Sequence, residues 1–375
     1  MVTQMVDLKG QYKKIKKAIN ASIQETLDTT AFIKGPKVAS FKKNLETYLG
    51  VKHVIPCANG TDALQIAFMA LGLEPDDEVI VPAFTYVATA EVIALLRLKP
   101  IMVDVDPKTF NITPKIVEKA ITARTKAIVP VHLFGQSADM EGIMEVANRH
   151  NLFVIEDNAQ AIGSDFTFKN GEKRKSGAIG HIGCTSFFPS KNLGCYGDGG
   201  ALMTNDSELA KKITMVANHG QSKQYYHDVV GVNSRLDALQ AGILDIKLAK
   251  LDSYSAARNK AAKAYDKAFK PVKSLEIPAR AKNSTHVFHQ YTLKVKNGKR
   301  SALQAYLTEK GVPSMVYYPV PLYKQPAFAP YWNGIALPVT EQLCTEVMSL
   351  PMHTELSAEV LKQVTDIVVA FFEGD

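Results

Sequence analysis

A lysine and an aspartate, each following a separate apolar run, hold the most chemistry in this chain of 375 residues. Lys191 ends the run Cys184-Thr-Ser-Phe-Phe-Pro-Ser-Lys191 and precedes a segment rich in glycine: Gly194, Gly197, Gly199 and Gly200. Asp157 closes Phe153-Val-Ile-Glu-Asp157, and Gln160 lies just beyond it. An amine placed after one strand and a carboxylate at the end of another suit pyridoxal 5'-phosphate. The amine forms a Schiff base with the cofactor's aldehyde. The carboxylate keeps the pyridine nitrogen protonated, so that the ring withdraws electrons.

The rest of such a site has candidates as well. Gly60-Thr61 precedes the helical pattern Leu64, Phe68, Leu71. Backbone amides at a helix start, with a hydroxyl beside them, bind a phosphate. Asn-Gly-Thr-Asp is equally an ordinary turn and helix cap. Ser186 offers a second hydroxyl, and Tyr86 offers a ring to lie against the pyridine. Each residue alone has an ordinary structural reading. Together, and in this order, they compose a phosphate cup, a stacking aromatic, a pyridinium partner and an amine.

The elements that must position them alternate. Apolar runs at His53–Pro56, Glu78–Pro82, Ile101–Val105, Ala127–Leu133, Phe153–Glu156, Thr185–Phe188 and Ala201–Thr204 are separated by helical patterns. Alternation of this kind predicts a mainly parallel sheet with helices on both faces. Ligands bind beyond the carboxyl ends of such strands, which is where all the candidates fall. Before the sheet, Ile15, Ile19, Ile23 and Leu27 predict an amphipathic helix, Gly35-Pro36 breaks the chain, and Val38, Phe41 and Leu45 begin another helix. After it, a lysine- and alanine-rich helical stretch from Leu236 to Phe269 leads to a smaller α+β region. That region has a β-like run at His286–Val295, a helix at Ser301–Lys310, a strand at Pro313–Tyr318 and a terminal helix. The expected division is a large α/β domain over residues 1–255 and a small C-terminal domain over 256–375.

Composition excludes several classes. The net charge of +7 comes from scattered lysines without interleaved aromatics, so a solvated surface is expected and no nucleic-acid partner. Some of those cations can attract an anionic nucleotide-linked substrate. No window has the apolar length of a membrane span, and the N-terminus has no signal core. Cys57, Cys184, Cys195 and Cys344 lack paired metal or disulfide spacing. They are expected to be reduced, buried thiols of a cytoplasmic enzyme, with no metal.

The strings CANGTDALQIAFMALG, PAFTYVATAE, VHLFGQSADM, IEDNAQAIGS, CTSFFPSKNLGCYGDGGALMTND and VGVNSRLDALQAGIL resemble the DegT/DnrJ/EryC1/StrS family of sugar aminotransferases. The likeness runs through almost the whole chain. It implies fold type I of pyridoxal phosphate enzymes, with Lys191 as the cofactor-bearing lysine and proton shuttle and Asp157 as the pyridinium partner. It further implies Gln160 at the ring hydroxyl, Tyr86 as the stacking residue, and Gly60, Thr61 and Ser186 on the phosphate. Asn233 would reach that phosphate from a neighbouring subunit, which implies a homodimer with shared sites.

Within the family, Ala58–Gln65, Phe187–Gly200 and Val232–Asp237 are most similar to aminotransferases for UDP-2-acetamido-2-deoxy-3-oxo-glucuronate. These serve bacterial surface polysaccharides such as lipopolysaccharide O-antigen, with glutamate as amino donor. Arg235 then either forks onto the uronate carboxylate or makes an interface salt bridge. The segment Val316-Tyr317-Tyr318-Pro319-Val-Pro-Leu departs from the family's pattern, with Tyr317 where many members have histidine. A tyrosine donates a hydrogen bond but does not become cationic near neutral pH. The alternatives are an aminotransferase for a 4-keto-6-deoxyhexose nucleotide and a non-catalytic regulatory protein that retains the fold. A dehydratase of the same family normally lacks the lysine, so Lys191 argues against it.

Overall fold

The computed structural model describes residues 3–332 and 334–373. Its main sheet has seven strands in the spatial order His53–Cys57, Gly200–Thr204, Ile182–Ser186, Phe153–Asp157, Thr125–Ile128, Glu78–Pro82, Lys99–Val103. Gly200–Thr204 is antiparallel to both its neighbours, and the remaining pairs are parallel. The sheet is therefore mainly parallel, as the alternation predicts. Side chains alternate between its faces. Val79 and Val81 enter a core with Phe68 and Ile213, while Ile80 enters the opposite core with Ile143 and Val146.

The first helix spans Leu8–Thr29 and buries Ile15, Ile19, Ser22 and Thr26. Leu27, expected on that face, is exposed. A strict four-residue step overshoots the 3.6-residue turn, so by Leu27 the row has drifted about a third of a turn off the face. The second helix, Gly35–Leu49, starts with proline in its first turn and buries Phe41, Leu45 and Leu49.

A second, antiparallel sheet joins Leu275–Glu276, Tyr291–Val295 and Val347–Leu350. Its core packs Tyr265, Phe269, Tyr291, Leu303, Leu307, Val364 and Val368 together. The helical stretch from Leu236 divides into Ala238–Leu248 and Leu251–Phe269. Leu251 belongs to a core beneath the main sheet and Phe269 to that of the small sheet, so position 255 falls inside a helix that enters both. Pro313–Tyr318 is not a strand. Met315 alone pairs, exchanging two hydrogen bonds with Ser349 at 3.0 and 2.7 Å. Pro313 and Pro319, which lack an N–H, bracket that single bridge. Val347–Leu350, which supplies the partner residue, is a strand that the apolar pattern does not announce.

Candidate active site

A cavity of about 860 Å³ opens beyond the carboxyl ends of the parallel strands. Gly60, Thr61, Tyr86, Asp157, Gln160, Ser186, Lys191, Tyr317 and Tyr318 all line it. The geometry thus brings together nine residues singled out from sequence. Asn233 and Arg235 are not among its lining residues.

The phosphate-cup candidates meet where the helix Gly60–Leu71 begins. Asn59 caps it, its Oδ1 accepting from Asp62 N at 2.8 Å. The first amides of a helix have no partner within it. Here Gly60 and Thr61 stand at that position, on the cavity wall. A Cβ on Gly60 would lie 2.7 Å from Ser186 Cβ, and one on Gly200 would strike the Asn59 carbonyl. Glycine at both positions lets the helix start seat against the end of the strand bearing Ser186.

Asp157 is fixed on both carboxylate oxygens. Thr89 Oγ1 donates to Oδ2 at 2.8 Å and the Ala159 amide to Oδ1 at 3.1 Å. Glu156, one position earlier, points to the other face and is fully buried. It accepts from His132 Nε2 at 2.7 Å and from the amides of Gly177, Ile179 and Gly180 at 2.8, 2.7 and 2.6 Å. Burial raises the Glu156 carboxyl, but the His132 hydrogen bond and charge, with the Gly180 and Gly177 amides, outweigh it and hold the group low. One strand end thus carries two carboxylates, one locked into structure and one facing the cavity.

Gln160 is oriented from both ends. Its Oε1 accepts from Phe134 N at 2.7 Å, and its Nε2 donates to the Tyr318 hydroxyl at 3.2 Å. Burial pushes the Tyr318 phenol well up, so it stays protonated. Tyr86 is 56% exposed, with its ring 6.3 Å from that of Tyr318 and tilted by 43°. More than half of the Tyr86 surface is therefore free of protein packing.

Lys191 follows its strand, which stops at Ser186. It lies in the following loop, tied by Lys191 N to Phe188 O at 2.8 Å. Burial lowers its amine to about 8, against the opposing pull of the Asp157 charge. Such an amine exchanges protons close to neutrality, where an exposed lysine would stay cationic.

The segment bearing Asn233 and Arg235 is pinned by Val232 N to Val216 O at 2.8 Å and Ser234 N to Ala217 O at 3.0 Å. Ser234 is buried and donates to Asp62 Oδ2 at 2.6 Å. Asn233 is exposed and Arg235 half-buried, and neither lines the cavity.

Sequence reasoning missed Thr85, Phe134, His289 and Gln290 on the cavity wall, and Thr89 behind Asp157. Thr85 and Thr89 flank Tyr86 inside a string already singled out, so proximity was an available signal. His289 and Gln290 come from the small-sheet region, and nothing in their spacing marks them.

Comparison with known proteins shows the family. The model of the DegT/DnrJ/EryC1/StrS aminotransferase family matches residues 13–369. A UDP-2-acetamido-2-deoxy-3-oxo-D-glucuronate aminotransferase of Pseudomonas aeruginosa is 49% identical, over 96% of this chain and 97% of its own. A pleiotropic regulatory protein of Geobacillus stearothermophilus is 46% identical over 99% of each. Among solved structures, S. venezuelae DesV in complex with a ketimine intermediate superposes with a TM-score of 0.94 at 36% identity. That alignment covers 99% of this chain and 98% of DesV. The chain belongs to the DegT/DnrJ/EryC1/StrS aminotransferase family and has its fold type I architecture. The chain is a sugar-nucleotide aminotransferase.

Proposed function

We propose that the cavity holds pyridoxal 5'-phosphate on Lys191 and moves an amino group from glutamate to a nucleotide-linked keto-sugar. The preferred acceptor is UDP-2-acetamido-2-deoxy-3-oxo-glucuronate, in a cytoplasmic step toward bacterial surface polysaccharide such as lipopolysaccharide O-antigen. The observation that carries this reading is the convergence of Lys191 and Asp157 on one cavity, the amine lowered to about 8.

The donor set fits the cofactor. A fixed carboxylate, two hydroxyls and the first amides of a helix stand around a volume of about 860 Å³, and the buried Thr85 hydroxyl on its wall has no protein partner among the described residues. When bound, pyridoxal phosphate supplies an aldehyde that takes up amines and a protonated ring that draws electrons from the carbon bearing them. Asp157 holds the ring nitrogen's proton, with Thr89 holding Asp157. Gly60, Thr61 and Ser186 take the phosphate, Gln160 the ring hydroxyl, and Tyr86 covers one face. Lys191 accepts a proton from the donor's α-carbon and delivers one to the sugar carbon that gains nitrogen, acting in turn as anchor, base and acid.

A homodimer completes the site in this reading. Asn233 and Arg235 do not line their own cavity, and near them in the chain Tyr225 and Val230 are 82% and 86% exposed. An apolar surface near two polar residues that lie outside the cavity suits a second copy. Asn233 then serves the partner's phosphate and Arg235 the acceptor's carboxylate, with Tyr317 and Tyr318 contacting the sugar. We place the division between the two domains near residue 255, within the helix that enters both cores.

The Geobacillus relative favours a second reading as a regulatory protein. Lys191 and Asp157 on one cavity weigh for chemistry over that role, since binding alone needs neither. The test is a product assay: protein, glutamate, and either the UDP-linked 3-keto uronate or a neutral 4-keto-6-deoxyhexose nucleotide. The expected result is 2-oxoglutarate and a matching amount of amino-sugar, with the uronate turned over faster. Arg235→Lys should lose most of that preference, because a point charge lacks the planar fork. No 2-oxoglutarate with any keto-sugar would refute the activity. Equal turnover of both acceptors would refute the acceptor assignment alone.

A further inference from the structure

The loop that carries Lys191 closes on itself and is then fastened to the helix Ala238–Leu248. Lys191 N donates to Phe188 O and Cys195 N to Phe187 O, both at 2.8 Å, so the lysine stands in the middle of a closed turn. A Cβ on Gly194 would strike the Pro189 carbonyl, so glycine is what lets the two limbs of the turn meet. From the helix, Gln240 brackets Tyr196: its Oε1 accepts from Tyr196 N at 2.8 Å and its Nε2 donates to Tyr196 O at 3.2 Å. About two turns further along that helix, Lys247 donates from Nζ to Gly194 O, and its ammonium lies 5.0 Å from the centre of the Tyr196 ring. Lys247 is buried, and no carboxylate pairs with it among the described residues. Burial lowers its amine to about 8. Taking an ammonium out of water without a counter-charge costs stability, and an unbranched apolar side chain such as methionine would fill the place without that cost. What the lysine adds is a charged donor on a carbonyl three residues from Lys191.

We propose that Lys247 is a positioning residue for Lys191: its buried ammonium on Gly194 O, with Gln240 on Tyr196, holds the loop in the form that presents the lysine amine to the cofactor. The proposal rests on the reading of Lys191 as the cofactor-bearing lysine. That amine changes partner during turnover, so what can be fixed is the backbone that bears it. Gly194 and Tyr196 are the points where the helix holds that backbone, one of them through a charge-assisted hydrogen bond, the stronger kind. Neither Lys247 nor Gln240 lines the cavity, so both act through the loop. The consequence is selective. Pyridoxal phosphate bonds to Lys191, whereas pyridoxamine phosphate carries its own amine and does not. In the same reading Gly60, Thr61, Ser186, Asp157 and Gln160 hold the two forms alike, so a fault in the loop separates them.

The test titrates the apoprotein, as the full chain, with each form of the cofactor and reads binding by fluorescence. Lys247→Met should weaken pyridoxal phosphate by about tenfold, as the loss of one charged hydrogen bond would. Pyridoxamine phosphate should stay within about twofold of wild type. Gln240→Ala, at a half-buried site, should show the same pattern at about threefold. Equal weakening of both forms would make Lys247 a support of the whole cavity, and no weakening of either would make the contact idle; each result overturns the proposal. If Lys247→Met does not fold, Gln240→Ala decides by the same comparison. Failure of the underlying reading would show separately, as a pyridoxyl group on a lysine other than Lys191 after borohydride reduction of wild type.

Discussion

Thr89 Oγ1 donates to Asp157 Oδ2 at 2.8 Å, from a helix to a strand end 68 residues away. Thr89 is fully buried. The bond fixes which way the carboxylate faces. Thr89→Val keeps the shape and removes the donor. A hydrogen bond to a charged group contributes about 1.5–3 kcal/mol, so cofactor affinity should weaken roughly tenfold or more. Thr89→Ser should recover most of it. Titration of the apoprotein with pyridoxal phosphate measures the change, and equal affinity in Thr89→Val would contradict the role.

Glu156 shows the opposite use of a carboxylate. Replacing it by alanine strands the buried donors of His132, Gly177 and Ile179 and the half-buried Gly180 amide. Each unsatisfied donor costs about 1–3 kcal/mol, so a loss on the order of 3 kcal/mol or more is expected in urea unfolding. The pH dependence has a definite sign. The folded carboxyl lies below its ordinary value, so its contribution is full above the usual carboxylate range and is lost as pH falls through the lowered value. Wild type should therefore lose its stability advantage over Glu156→Ala in acid. An advantage independent of pH would contradict this.

The seven main strands were legible because each is a short apolar run between turn signals. Asp157 and Ser186 end their strands, as a site beyond carboxyl ends requires. Strand bounds were less legible: Ile182–Ser186 begins before the expected Thr185 and stops before the expected Phe188, which lengthens the loop that leads to Lys191. Val347–Leu350 escaped because Val-Met-Ser-Leu, three apolar residues and a serine directly after a helix, reads equally as more helix. His289 escaped for another reason. Its place on the cavity wall depends on how the Phe288 and His289 carbonyls hang from Arg258, a long-range contact with no local pattern.

The shared site makes a prediction of its own. Lys191→Ala and Asn233→Asp should each be weak or inactive alone, the first for want of the amine and the second through repulsion of the partner's phosphate. After mixing and subunit exchange, heterodimers carrying one intact site should regain activity. Exchange shown by mass spectrometry without recovery would place a complete site in each subunit.

The account turns on Lys191 carrying the cofactor. Borohydride reduction of the protein reconstituted with pyridoxal phosphate, followed by peptide mapping, tests this most directly. The pyridoxyl group should fall on Lys191, and Lys191→Ala should fold, bind the cofactor without covalent capture and fail to transaminate. A pyridoxyl group on any other lysine, or transamination by Lys191→Ala, would contradict the account.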